Sequence, residues 1–253
     1  MTASSDGWAM FVAFAYPPNE LGYCGPPDPA LLLRHDGSDR VTRARAFDGA
    51  WPYLVELAAA AGGAEPLRSD VVQAYWLGGE LQSGVDGARL AQRLRCALQG
   101  QPTGLLDAVP DDRLLAHHSF QVFVVYPWVP ILARRPAGAG PALKILQQCR
   151  IRWGVVDAVG DEHAVLTSQP LGFEAGQLLL GAPTPETVRW RGVDGTALAP
   201  RPAPGDMVAA HWDWICGSLG PEQHRALVQT TTSTLDLVNG LLRAGPRSPA
   251  ALS

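Results

Sequence analysis

The sequence predicts an α+β protein with a mostly helical N-terminal domain over residues 1–133 and a small five-stranded β-barrel with a closing helix over 142–243. Three observations predict it. The first hundred residues space their apolar side chains at helical intervals. The Pro- and Gly-rich stretch "RRPAGAGP" (134–141) marks a boundary. Beyond it the texture turns to short runs of β-type residues separated by Gly, Pro and Asp.

Each element follows in order. Residues 7–16, "GWAMFVAFAY", suit a short apolar helix that Pro17 and Pro18 should stop. "DPALLLR" (28–34) offers Asp28 as cap and Pro29 in the first turn. Segment 40–61 lines up Val41, Ala44, Phe47, Trp51, Leu54, Val55 and Ala58 on one face, with Pro52 dividing or bending it. Helices are also expected over 69–82 and 86–99; in the second, Cys96 lies near the stripe of Leu90, Leu94 and Leu98 and reads as a buried, inert thiol. "HHSFQVFVVYPWV" (117–129) has β-type residues, but its prolines argue against a central strand. Strand-like runs then occupy 149–159, 163–173, 176–182, 186–193 and 205–216, the number a small Greek-key barrel needs. Pro221 and Glu222 open the closing helix, whose stripe is Leu227, Thr231, Leu235, Val238 and Leu242. The tail after Gly245 is expected to fray.

Composition bounds the function. Of 253 residues, 47% are hydrophobic and 17% charged, enough for a sizeable core. The net charge of −4 argues against nucleic acid as a partner. Four scattered cysteines give no CxxC pair, so neither a zinc ribbon nor a dense disulfide framework is expected. The apolar runs 8–16 and 122–133 read as neither signal peptide nor membrane span, which leaves a cytoplasmic protein as the expectation. No GxSxG, HExxH, P-loop or GxGxxG motif is present.

Two stretches carry candidate chemistry. In "GDMVAAHWDWIC" (205–216), read as one strand, His211 and Asp213 share a face with Met207, Ala209 and Ile215. Either they form a solvated pair or the carboxylate holds the imidazole for binding. Cys149, in phase with Ile151, Trp153 and Val155 on its own run, reads as a small buried side chain or as a ligand. Elsewhere, Cys24 in "YCGPP" lacks a second cysteine, and packing beneath a turn formed by Gly25 and Pro26 accounts for it. A thiol-dependent enzyme would need Cys24 as nucleophile with His117 or His118 as base, or these residues could complete a metal site. Adjacent histidines on an extended segment point to opposite faces, so only one could serve. "RIRW" (150–153) and "RWR" (189–191) interleave arginine with tryptophan as single-strand-binding barrels do, but inward-facing indoles fit the acidic balance better.

The second half resembles the HypC/HupF-type chaperones of hydrogenase maturation. Cys149 followed by Trp153-Gly154 and "VVDAV", and Gly205-Asp206-Met207-Val208-Ala209-Ala210-His211 ahead of "SLGPEQ", carry the likeness over residues 146–240. Trp153 stands where that family has proline, and its cysteine is N-terminal where Cys149 is internal. The resemblance implies an OB-like barrel, Cys149 and His211 as ligands of an iron centre, and Asp213 as the group orienting the imidazole. It also implies a protein partner, either the hydrogenase large-subunit precursor or a maturation scaffold protein, and no turnover of its own. The chain as a whole is similar to an uncharacterised bacterial family carrying "YPPNELGYCGP", "HHSFQVFVVYPW" and the barrel in that order.

Overall fold

A computed structural model describes residues 7–34, 39–134 and 140–244. Both the tail after Gly245 and most of the expected linker lie outside these residues. The chain is a mixed α+β protein. Its helices are α1 (Trp8–Glu20), α2 (Ala30–Leu33), α3 (Arg40–Arg45), α4 (Trp51–Ala60), α5 (Ser69–Leu77), α6 (Gly87–Ala97), α7 (His118–Phe120), α8 (Trp128–Arg134), α9 (Gly140–Cys149) and α10 (Pro221–Ala244). The strands are β1 (Arg152–Val159), β2 (His163–Ser168), β3 (Leu171–Glu174), β4 (Gln177–Leu180), β5 (Thr184–Arg189), β6 (Met207–His211) and β7 (Trp214–Ser218).

Five strands pair in a closed ring, β1-β2-β5-β7-β6, while β3 and β4 form a separate hairpin. The ring closes narrowly: β5 and β7 run parallel and meet at the single pair Arg189 and Trp214. Two expectations need correcting. The run 163–173 is broken at Gln169-Pro170, so β3 leaves the ring to pair with β4. The run 205–216 is a hairpin rather than one strand, with His211 paired to Trp214 across the turn Trp212-Asp213. Trp212 sits at φ 53°, a left-handed conformation costing a side-chain-bearing residue about 1–2 kcal/mol. Burial of its indole, which stacks on Tyr23 at 4.3 Å, compensates.

On β6 the period-two reading holds. Val208 and Ala210 fill the ring together with Val156, Leu166, Val188 and Ile215. Met207, Ala209 and His211 face outward, but this outer face is covered: Ala209 joins the larger core with Phe11, Phe14, Trp76, Phe123 and Val238. The exterior of the ring is thus the floor on which the helices pack. No described helix is long and apolar enough to cross a membrane.

In α1 the prolines do not stop the helix. It runs through Pro17 and Pro18 to Glu20. A proline removes the amide that would reach the carbonyl four residues back, so Ala13 and Phe14 lose their helical donors. Residues 118–125, with their β-type side chains, are helical, a short α-turn passing into a π-turn at Gln121–Val125. Burial on every side accounts for the uniformly apolar sequence there.

Candidate metal centre

His211 lies at the end of β6, fully buried beneath α1. Its Nδ1 is 2.6 Å from the carbonyl of Phe14, the oxygen that Pro18 deprives of a helical donor. A carbonyl can only accept, so Nδ1 carries the proton and Nε2 the lone pair. Nε2 is buried and makes no hydrogen bond of normal geometry, the Cys149 carbonyl being its polar neighbour. Burial holds the imidazole neutral, well below its ordinary pKa.

His118 opens α7 and rests on Trp76 at 4.7 Å between ring centres, with the His211 ring 5.0 Å away. Its Nδ1 is 3.1 Å from the Tyr75 hydroxyl, which donates its one proton to the Gly49 carbonyl at 2.7 Å. While Tyr75 keeps that bond, its oxygen can only accept from Nδ1–H, which leaves the lone pair on Nε2. The other tautomer donates Nε2–H to the Cys149 carbonyl at 2.9 Å, and because a carbonyl can only accept, this is the tautomer favoured without a cation. Binding a cation at Nε2 would require the first, with Nδ1–H donated to the Tyr75 oxygen. Burial pushes the His118 pKa down to about 4.

Cys149 is the last residue of α9 rather than part of a strand, correcting the phase assigned to it. Buried Arg152 fixes its surroundings, donating to the final carbonyls of α9 at Gln147 (3.3 Å) and Gln148 (3.2 Å) and to the Trp212 carbonyl. The Arg152 charge is balanced by Glu186 at 3.2 Å. One guanidinium thereby ties the helix bearing Cys149 to the hairpin bearing His211. Burial raises the thiol pKa, the neighbouring Cys24 raises it further, and the Trp212 indole opposes the shift.

One ligand atom each from His118, Cys149 and His211 lies within 4.8 Å of the other two. A tetrahedral ion with metal–nitrogen bonds near 2.0 Å and a metal–sulfur bond near 2.3 Å would bring such atoms to roughly 3.3–3.6 Å. The set could hold a transition-metal ion once its atoms close in by up to about 1.5 Å, with His211 Nε2 as the atom most in need of a partner.

The three residues line one cavity of about 170 Å³, whose walls include Ala15, Phe47, Trp76, Trp128 and Ile145. Cys24 lines it too, its thiol pushed up to about 12 by burial. The loop carrying Cys24 is pinned by buried Asn19, whose amide donates to the carbonyls of Cys24 and Pro26, both at 2.7 Å. Gly25 has φ 86° and lies against the Phe47 ring, where a Cβ would come within 2.3 Å of a ring carbon.

Of the residues named from sequence, the structure thus joins Cys149 and His211 to His118 and sets Cys24 beside them. His117 is not part of the group. It caps α7 by accepting the Ser119 amide at 2.9 Å, and burial lowers its pKa to about 3. Asp213 does not orient His211. It pairs with Arg189 at 2.8 Å, and the Phe14 carbonyl takes the role expected of it. Cys96 is exposed rather than buried. Arg150, Arg152, Trp153 and Trp190 are all buried, so "RIRW" and Trp190 offer no stacking surface to a nucleic acid. Nothing in the sequence points directly to Phe14 or Tyr75 as partners of the imidazoles. The available signal was a double proline within an apolar helical run, which marks a carbonyl in search of a donor.

A profile described as "Family of unknown function (DUF6390)" matches residues 3–245, and the chain belongs to that family. No curated protein and no solved structure matches it.

Proposed function

We propose that this DUF6390 chain is a metal-binding accessory protein in which Nε2 of His118, Nε2 of His211 and the sulfur of Cys149 hold one transition-metal ion. The observation that carries this reading is the buried Nε2 of His211, which makes no hydrogen bond of normal geometry and is set in the metal-ready tautomer by a backbone carbonyl. Two neutral imidazoles need lose no proton to bind, and Cys149 loses one. A soft sulfur with two borderline nitrogens suits iron, zinc or copper. Three protein ligands leave a coordination position toward the cavity, as in sites that exchange ligands rather than closed structural ones.

The finer assignment is to hydrogenase maturation in the cytoplasm, with iron as cargo and the large-subunit precursor or a scaffold protein as partner. It is supported by the resemblance of residues 146–240, whose two implied ligands, Cys149 and His211, belong to the triad. A thiol-dependent enzyme is less well supported, because burial keeps Cys24 and Cys149 protonated and weakly nucleophilic.

The test is anaerobic purification with metal analysis, infrared spectroscopy and identification of co-purifying proteins. It compares the wild type with His118→Ala, Cys149→Ala, His211→Ala and, as control, Asp213→Ala. About one ion per chain in wild type and control, lost from the other three, is expected. Equal metal content in all five would refute the site. Zinc in place of iron, with no hydrogenase subunit captured, would refute the finer assignment and leave the site standing.

A further inference from the structure

We infer that the cavity admits a small anionic co-ligand to the metal: one ionisable sulfur or oxygen donor on a compact hydrocarbon body about the size of benzene. This inference rests on the metal reading above and extends it to what occupies the fourth coordination position. Charge sets the donor. A divalent ion with one thiolate and two neutral imidazoles carries a net single positive charge, and no carboxylate among the described residues lines the cavity to balance it. Of the acids near the site, Glu186 pairs with Arg152, Asp213 pairs with Arg189, and Asp48, beside the wall at Gly49 and Tyr126, is exposed to solvent that screens its charge. A buried, unbalanced charge is costly, so an anionic fourth ligand is favoured over water.

Size and wall chemistry set the body. The cavity of about 170 Å³ is comparable to the roughly 150 Å³ apolar cavity that accommodates benzene. Phe47, Trp76, Trp128, Ile145 and Ala15 offer hydrocarbon and aromatic contact with few groups to bind several waters. Cys24 also lines the cavity, but its sulfur lies outside the group that converges within 4.8 Å. The fourth position is thus left to a molecule from outside.

The test uses the full chain loaded with cobalt(II) and titrated, under argon, with thiophenol, hydrogen sulfide or toluene. Thiophenol carries both donor and body, hydrogen sulfide the donor alone and toluene the body alone. Thiophenol should shift the cobalt d–d bands, add a sulfur-to-cobalt band and bind at least about tenfold tighter than hydrogen sulfide, because only its ring buries apolar surface. Toluene should compete without adding the band. Ile145→Trp, which narrows the cavity from its half-buried wall, should weaken thiophenol about tenfold or more while cobalt uptake stays unchanged. Equal affinities for the two sulfur donors, or an unaltered response in Ile145→Trp, would overturn the inference. So would a second thiolate band present before titration and lost in Cys24→Ser, since Cys24 would then fill the position itself. Normal cobalt uptake with no thiophenol response sinks this inference alone. A wild-type chain that takes up no cobalt sinks the metal reading with it.

Discussion

At the scale of single residues, the site depends on donors that are missing as much as on those present. Pro18 cannot satisfy the Phe14 carbonyl, so that oxygen is free to accept a hydrogen bond from His211 Nδ1–H. Pro18→Ala would return an amide to compete for it. The expected result is metal affinity lowered about tenfold or more with thermal stability equal or higher, read by competitive chelator titration beside a melting curve. Tyr75→Phe removes the hydroxyl that holds His118 Nδ1–H, freeing the tautomer that points Nε2–H at Cys149. Metal affinity should fall about 10–100-fold, and an affinity matching wild type would argue against the tautomer assignment. Little of this was legible in the sequence. His211 and Cys149 stand out from the strand pattern and take the role of iron ligands from a resemblance, whereas His118 is separated from them because a histidine pair on a supposed extended segment gives no hint of a helix start. Asp213 was misassigned because a single strand would put it on the face of His211, and the Trp212 turn breaks that phase.

Among elements, α1 and the loop after it bind the helices to the ring. The acid Glu20, at the end of α1, accepts the Trp214 indole N–H at 2.9 Å and pairs with Arg189 at 2.7 Å. Glu20→Ala would leave the fully buried Trp214 indole N–H without that partner and the half-buried Arg189 with Asp213 alone. A loss of about 1–3 kcal/mol is expected, measured as a shift in urea midpoint with an unchanged slope. The helices at 51–60, 69–77 and 87–97 were legible because their apolar spacing is regular and their ends are punctuated. The π-turn at 121–125 was not, since a segment buried all round loses the periodicity that distinguishes helix from strand. The broken strands were missed for a related reason: β3 and β4 are four residues each, too short for alternation to show where one run ends.

For the whole molecule, three histidines buried as neutral bases set the response to acid. His117, His118 and His211 all have pKa values lowered by burial, to about 3 and about 4 for the first two. The unfolded chain takes up protons below about pH 6.5 while the folded metal-free protein does not, so stability falls as pH drops through that value toward 4. Each histidine contributes a slope of roughly 1.4 kcal/mol per pH unit within that window. Denaturant titrations at several pH values should show it, and His117→Asn should flatten the slope without touching the metal ligands. The larger core spans residues from Trp8 to Val238, a continuity no local pattern could announce.

The three residues that could hold a metal come from distant stretches of chain, at positions 118, 149 and 211, and the carbonyl that aims His211 comes from position 14. Coordination by this set would therefore be a property of the finished tertiary assembly. A nascent or partly opened polypeptide would present scattered single donors with weak hold on any ion, and capture would coincide with the final seating of the first helix. Metal occupancy would then double as an internal record that folding has gone to completion.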